Sequence, residues 1–144
     1  MTVEKANLEN LLAYTDNFFQ NHWNEAKLGF RPVWSAIHTD FRQIPNYDKQ
    51  GVYAFVKGEE ITYIGVGTSR GGGIYRGNGL SSRVMKYCRW IDKEIYGPID
   101  ERLKEAGAIV TIGFEQDHAY IANALEIYLI SRLNPKYNFI KVGM

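Results

Sequence analysis

The stretch 51-GVYAFVKGEEITYIGVG-67 constrains the fold most strongly. Two short apolar runs, residues 51–57 and 61–66, flank a charged turn that contains glycine, and this pattern predicts a β-hairpin. Each arm also carries a tyrosine two residues from a glycine, in the triplets GVY and YIG. A hairpin does not need this pairing. Because a turn separates Tyr53 from Tyr63, their spacing does not tell whether the two side chains share a face.

Outside this hairpin, the sequence predicts helices and one further strand. The predicted elements are, in chain order, a helix over 4–28, a helix over 80–91, a short helix over 98–106 ended by Gly107, a strand over 108–114, and a helix that Asp117 caps and that ends at Leu133. We see no repeat, low-complexity tract or linker, so we expect one domain over 1–144 with its core over 51–138. We expect the extension over 1–50 to enlarge the core or to cover an edge of the sheet, with a dimer interface as the alternative.

The composition limits the class of protein. The 144 residues are 45% hydrophobic and 23% charged, which is typical of an ordinary globular domain. The chain has no apolar run of about 18 residues that could span a membrane, no signal pattern at its start, and only Cys88, which excludes an internal disulfide. We therefore expect a cytoplasmic protein. The net charge of +1 argues against nucleic-acid binding over the whole surface but allows a local basic face.

Such a basic face is indicated between Ile61 and Ile91, where the chain has no Asp or Glu. The cations of this segment are Arg70, Arg76, Arg83, Lys86 and Arg89. They form either a solvated face that is balanced elsewhere or a site for a polyanion. The glycine-rich part, GVGTSRGGG, fits neither a dinucleotide fingerprint nor a P-loop. Backbone N–H groups together with arginines nevertheless suit phosphate oxygens.

Glu126 is the unusual residue of the last predicted helix, because its neighbours are almost all apolar. A carboxylate in this setting lies on a wet edge, pairs with an arginine such as Arg132, or binds a divalent metal ion. One carboxylate with water and substrate phosphate oxygens is an acceptable Mg²⁺ shell. Arg83 and Tyr87 are four residues apart on a predicted helix and share a face. An exposed arginine beside a core tyrosine would give the same spacing.

Taken in order, these segments resemble the GIY-YIG nuclease family. The triplets GVY and YIG look like the two halves of its signature, with valine in place of isoleucine in the first. The segment 80-LSSRVMKY-87 resembles the family's arginine-containing helix, Glu126 resembles its metal-binding glutamate, and 133-LNPKYN-138 resembles its closing segment. The resemblance covers 51–138 and leaves the first fifty residues outside.

The resemblance implies an α+β fold with a central three-stranded, mostly antiparallel sheet flanked by helices. It implies an endonuclease that hydrolyses DNA phosphodiester bonds with Mg²⁺ or Mn²⁺. The implied roles are metal binding for Glu126, phosphate stabilisation for Arg83, proton acceptance from water for Tyr53, orientation of water or phosphate for Tyr63 and Tyr87, and positioning of Tyr53 or nearby backbone for Asn138. A free phenol is a poor base near neutral pH, so Tyr53 would need a cation nearby.

Two departures from the family pattern concern DNA contacts. Many relatives carry a lysine after the second triplet, where this chain has Val66, and Arg70 or Arg76 could supply that charge. The segment SRGGGIYRGN looks like an insertion that either contacts DNA or is a tolerated surface loop. We expect DNA binding to involve Arg70, Arg76, Lys86 and Arg89.

Two other functions are compatible with the sequence. The first is a DNA-binding module that has the same fold but no catalytic activity. The second is a nucleotide-binding protein that uses the glycine-rich loop. Because one catalytic set cuts one strand, we expect a homodimer only if the protein makes double-strand cuts.

Overall fold

The computed structural model describes residues 5–68 and 79–139. Its helices and strands are, in chain order, α1 (Leu8–His22), α2 (Glu25–Leu28), β1 (Gln50–Lys57), β2 (Glu60–Gly67), α3 (Gly79–Val84), β3 (Cys88–Trp90), β4 (Tyr96–Pro98), α4 (Glu101–Ala106), β5 (Ala108–Phe114), α5 (Ala119–Leu133) and α6 (Lys136–Phe139). Among the described helices, none combines the length and the apolar character needed to cross a membrane.

The central sheet is three-stranded and antiparallel, in the order β2-β1-β5. This confirms the predicted α+β class and the hairpin formed by β1 and β2. Gly58 has φ 62° in the turn between the two strands, a conformation that glycine adopts without steric cost. The register between β1 and β2 shifts between Phe55 and Val56, so a bulge lies in the middle of the hairpin.

Each face of the sheet has its own hydrophobic core, because β1 lies in the middle of the sheet and is apolar on both faces. Val52 and Ala54 pack in a cluster with residues of α1 and α5. Tyr53 and Phe55 point to the other face and pack in a cluster with residues of α3 and α4. Fully burying a large apolar side chain contributes roughly 1.5–3 kcal/mol. The sheet is therefore a central layer between two helical layers.

The N-terminal extension covers one edge of the sheet, which confirms the expectation for this segment. His38 and Ile109 exchange both backbone hydrogen bonds, each at 2.9 Å, along the outer edge of β5. Nearby, the Trp34 indole N–H donates to the Thr15 hydroxyl at 2.8 Å and links this segment to α1. Pairing the edge of β5 in this way removes an open strand that could pair with another chain.

The predicted helix over 4–28 is wrong as one continuous element. It ends at His22, and Trp23 has the extended angles φ −114° and ψ 116°. Asn24 then caps α2 by accepting a hydrogen bond from the Lys27 N–H. The Trp23 indole donates to the Gly29 carbonyl at 2.9 Å, so tertiary and capping contacts interrupt a pattern that was helical throughout.

The predicted helix over 80–91 is also wrong beyond its first turns. The helix α3 ends at Val84. The chain then forms a 3-10 turn, and β3, which pairs with β4, begins at Cys88. The Tyr87 carbonyl accepts hydrogen bonds from the N–H groups of Ile99 at 2.8 Å and Asp100 at 3.3 Å. These bonds hold the two ends of a β-hairpin together, and the sequence pattern did not reveal its strands.

The last two predicted helices are partly confirmed. The short one begins later than predicted, after the cap Asp100, but ends at Gly107, which is left-handed with φ 78°. Asp117 is not the cap of the last helix, because it lies in a 3-10 turn over Gln116–His118 that precedes α5. The predicted end of α5 is confirmed at Leu133, followed by left-handed Asn134.

Candidate active site

The two hairpin tyrosines lie on the same face of the sheet. Tyr53 is opposite Gly65 in the pairing of β1 with β2, and Tyr63 is opposite Phe55. Tyr53 and Phe55 are two residues apart on one strand and therefore share a face. The ring centroids of Tyr53 and Tyr63 are 6.2 Å apart.

The glycines of the two triplets provide space for close contacts. A Cβ on Gly65 would overlap Cζ and Oη of Tyr53, so the ring of the first tyrosine lies over the glycine of the second triplet. A Cβ on Gly51 would overlap the carbonyl oxygen of Ile112 on the neighbouring strand β5. Each triplet glycine therefore has a steric cause: Gly65 makes room for the Tyr53 ring, and Gly51 makes room for the backbone of β5.

Tyr53 is buried and hydrogen-bonded to a third tyrosine. Its side chain is 0% exposed, and its hydroxyl lies 2.8 Å from the hydroxyl of Tyr87. Burial raises the pKa of Tyr53 far above its ordinary value, the neighbouring Tyr87 and Tyr63 raise it further, and hydrogen bonding to Arg83 acts in the opposite direction. Without an added cation, Tyr53 is therefore a neutral phenol near neutral pH.

The charge of Arg83 acts on this phenol and on the carboxylate of Glu126 in α5. Arg83 lies on α3, and its pKa is raised chiefly by its hydrogen bond with Tyr53. Glu126 is half-buried, and burial raises its pKa, while the charge of Arg83 lowers it. One guanidinium therefore interacts with a phenol from the sheet and with a carboxylate from a different helix.

Asn138 contacts backbone next to Tyr63. Its side-chain amide donates to the Ile64 carbonyl and accepts from the Ile64 N–H, both at 2.8 Å. Ile64 lies on β2, the strand at the other edge of the sheet. Asn138 thus satisfies both backbone groups of one edge residue, as a neighbouring strand would.

Sequence reasoning missed Arg102, which lies beside the tyrosines. Its guanidinium carbon is 4.8 Å from the ring centroid of Tyr63 and 5.3 Å from that of Tyr87. Asp100 holds it through two side-chain hydrogen bonds of 3.0 and 2.9 Å. In the sequence this pair looks like a helix cap followed by a surface arginine, and no local signal indicates the aromatic contacts.

A cavity of about 400 Å³ opens beside Arg83, between the end of β2 and α3. Its charged lining residues within the described ranges are Arg83 and Lys86. Lys86 and Arg89 are exposed, and the ion pairs formed among described residues include none of these three cations. The exposed charges of Lys86 and Arg89 are therefore within reach of an anion. Arg70 and Arg76 lie outside the described residues.

Among the described residues, Glu126 does not belong to a cluster of three or more metal-binding side chains. In the described part of the chain, no three His, Cys, Asp or Glu side chains lie close enough to hold a metal ion together. A hard cation bound here would take its other oxygens from water and from the substrate, which fits Mg²⁺ better than metals that need a complete protein cage.

No protein-family model, curated protein or solved structure matches this chain. The geometry of its own side chains therefore has to support any functional assignment.

Proposed function

We propose that the protein is a DNA endonuclease that hydrolyses phosphodiester bonds with Mg²⁺ or Mn²⁺, on a GIY-YIG type of active site. The observation that supports this most is that the charge of Arg83 acts both on the Tyr53 phenol, to which it is hydrogen-bonded, and on the Glu126 carboxylate. The three residues come from different elements of the fold. A cation that interacts with a carboxylate and a phenol supplies groups that phosphodiester hydrolysis requires.

Hydrolysis adds water across one P–O bond, so the site must stabilise negative charge and accept a proton from the water. Arg83 would hydrogen-bond a non-bridging phosphate oxygen and offset the charge that develops in the transition state. Glu126 would hold the divalent cation, which supplies further charge neutralisation and makes a bound water more acidic.

The raised pKa of Tyr53 limits its proposed role as general base. Burial is the main cause of that shift, and Arg83 already opposes it. A further positive charge near Glu126 would lower the Tyr53 pKa again. Tyr63 and Tyr87 would orient water or a phosphate oxygen, and Asn138 would fix the backbone beside Tyr63 through its bonds to Ile64.

DNA would lie across the basic surface next to the cavity. Lys86 and Arg89 would contact phosphates, together with Arg70 and Arg76 from the glycine-rich segment of the sequence. Such contacts position the duplex without reading its sequence. A double-strand cut would require a homodimer or two successive events, because one set of these residues serves one scissile phosphate.

The test is cleavage of supercoiled and linear DNA with Mg²⁺ or Mn²⁺, with matched variants. We expect Arg83→Ala and Glu126→Ala to lose activity by orders of magnitude while circular dichroism stays unchanged. The controls are Arg132→Ala and Glu9→Ala, which remove the same charges at exposed positions and should cut like the wild type. A wild type that cuts no DNA with either metal would contradict the proposal.

One observation favours a second candidate, a DNA-binding module without catalysis. The Tyr53 hydroxyl is buried and already bonded to Tyr87, as expected of a core residue. This candidate predicts that the wild type binds DNA in a gel-shift assay, does not cut it, and binds equally well after Glu126→Ala. Cutting that depends on Glu126 would exclude it.

A further inference from the structure

Arg102 is held in place by contacts that form a closed loop with Tyr87. The Tyr87 carbonyl accepts a hydrogen bond of 3.3 Å from the Asp100 N–H. The Asp100 carboxylate accepts bonds from Nε and Nη2 of Arg102, and the guanidinium of Arg102 lies 5.3 Å from the centroid of the Tyr87 ring. Asp100 and Arg102 thus link the backbone carbonyl of Tyr87 to the aromatic ring of the same residue.

The same guanidinium also contacts Tyr63 from the hairpin. Its carbon is 4.8 Å from the centroid of that ring, within the range of a cation–π interaction. Two parallel hydrogen bonds to one carboxylate fix the orientation of the planar guanidinium of an arginine. The ammonium group of a lysine cannot be fixed in this way. Arg102 therefore bridges a tyrosine of β2 and a tyrosine of the 3-10 turn after α3 with one rigid, planar group.

The charge of Arg102 also acts on the hydroxyl group of Tyr63. It lowers the pKa of Tyr63, against the larger effect of burial, which raises it. A positive charge beside a phenol strengthens the hydrogen bonds that its O–H donates. Although paired with Asp100, the Arg102 side chain is 34% exposed, so it lies at the margin of the cluster and not in the core.

We propose that Arg102, oriented by Asp100, is a positioning residue that fixes Tyr63 and Tyr87 for contact with the substrate phosphate. This inference rests on the proposed nuclease function. It gives α4 a part in the chemistry, although none of the residues in the proposed nuclease site lies on α4. A purely structural role would instead affect only the stability of the fold.

The first test compares single-turnover DNA cleavage with DNA binding. We expect Arg102→Met to slow cleavage by about tenfold to a hundredfold, the usual effect of losing an outer partner of a site, with an unchanged Kd for DNA. Arg102→Lys keeps the charge but not the planar guanidinium, and its cleavage rate should lie between those of the wild type and Arg102→Met. Arg132→Met is the matched control, because Arg132 stacks on Tyr128 at 3.6 Å from its centroid and should cut normally.

The second test does not depend on cleavage. In protein labelled with ¹³C in the tyrosine rings, we assign two resonances with Tyr63→Phe and Tyr87→Phe. Arg102→Met should shift both resonances, and Arg132→Met should shift neither. If Arg102→Met does not fold, Asp100→Asn with Arg102→Met leaves no unpaired carboxylate and should give the same shifts.

The outcomes separate the two proposals. A wild type that cuts no DNA overturns the nuclease function, and with it the contribution of Arg102 to cleavage. Normal cleavage by Arg102→Met with a lowered Tm overturns the positioning role and leaves a structural one. Unchanged ring resonances in Arg102→Met also overturn the inference, whatever the cleavage assay shows.

Discussion

The hydroxyls of Tyr53 and Tyr87 share a hydrogen bond of 2.8 Å between two elements that are distant in the sequence. Tyr53 is 0% exposed and Tyr87 is 7% exposed, so water has little access to either oxygen. Each hydroxyl therefore depends on its protein partners, and the bond links the sheet to the turn after α3.

Removing both of these hydroxyls should destabilise the protein by less than the sum of the two single removals. Tyr87→Phe leaves the buried Tyr53 hydroxyl without this partner, which costs about 1–3 kcal/mol of unfolding free energy. The double variant Tyr53→Phe with Tyr87→Phe leaves no unpaired oxygen from this bond and should cost less than the sum of the single variants. Urea denaturation of all four proteins gives the coupling. Strictly additive costs would show that the bond contributes nothing.

Gly65→Ala should disable the site through Tyr53. The added Cβ would overlap Cζ and Oη of that ring, and Tyr53 is fully buried. We expect a loss of about 1–3 kcal/mol in stability from overpacking and a loss of DNA cleavage, measured on supercoiled DNA.

Gly97→Ala is the control for this variant. Gly97 is also a buried strand glycine, but among the described residues its Cβ would meet nothing closer than Ile91 Cδ1 at 3.6 Å. It should fold and cut like the wild type. If Gly65→Ala does so as well, the steric explanation of the paired triplets is wrong.

The hairpin could be predicted from the sequence because its signals are local. Two apolar runs and a turn with glycine specify strands and connection together. The facing of Tyr53 and Tyr63 could not be predicted, because the bulge between Phe55 and Val56 changes the register within the hairpin. Whether a strand contains a bulge depends on its packing partners, which a single sequence does not show.

The segment after Val84 was mispredicted for a tertiary reason. Its apolar spacing favours a helix, but the Tyr87 carbonyl accepts hydrogen bonds from the backbone N–H groups of Ile99 and Asp100, which follow β4. The same bonds bring Asp100, and through it Arg102, to the tyrosine cluster. The error about β3 and β4 and the failure to find Arg102 thus have one cause, a contact between segments far apart in sequence.

Asn138→Ala should loosen the edge of the sheet next to Tyr63. It removes both bonds to the backbone of Ile64, and we expect a loss of about 2 kcal/mol in unfolding free energy. Hydrogen exchange at the Ile64 amide should become faster. Asn21→Ala is the control, since Asn21 makes an exposed bond to the Asn17 carbonyl within α1. Unchanged exchange at Ile64 would contradict the inferred role of Asn138.

Glu126→Gln should stabilise the protein near neutral pH. Burial raises the pKa of Glu126 above its ordinary value of 4.5, and Arg83 only partly offsets this. For a carboxyl group with a raised pKa, the stability it contributes is complete below the unfolded pKa and is lost as the pH rises through the folded pKa. The ionised carboxylate is therefore unfavourable for folding at neutral pH, as expected of a group kept for binding and not for stability.

Thermal unfolding with and without Mg²⁺ checks this account of Glu126. Without metal, Glu126→Gln should have a higher Tm than the wild type at about pH 7, and the difference should vanish at about pH 4, where both side chains are neutral. With excess Mg²⁺, the wild type should gain stability by ligand linkage and Glu126→Gln should not. Glu9→Gln, at an exposed position of α1, should respond to Mg²⁺ like the wild type. An equal Mg²⁺ response in Glu126→Gln would mean that the cation binds elsewhere, and a lower Tm near neutral pH would mean that Arg83 stabilises the carboxylate more than burial opposes it.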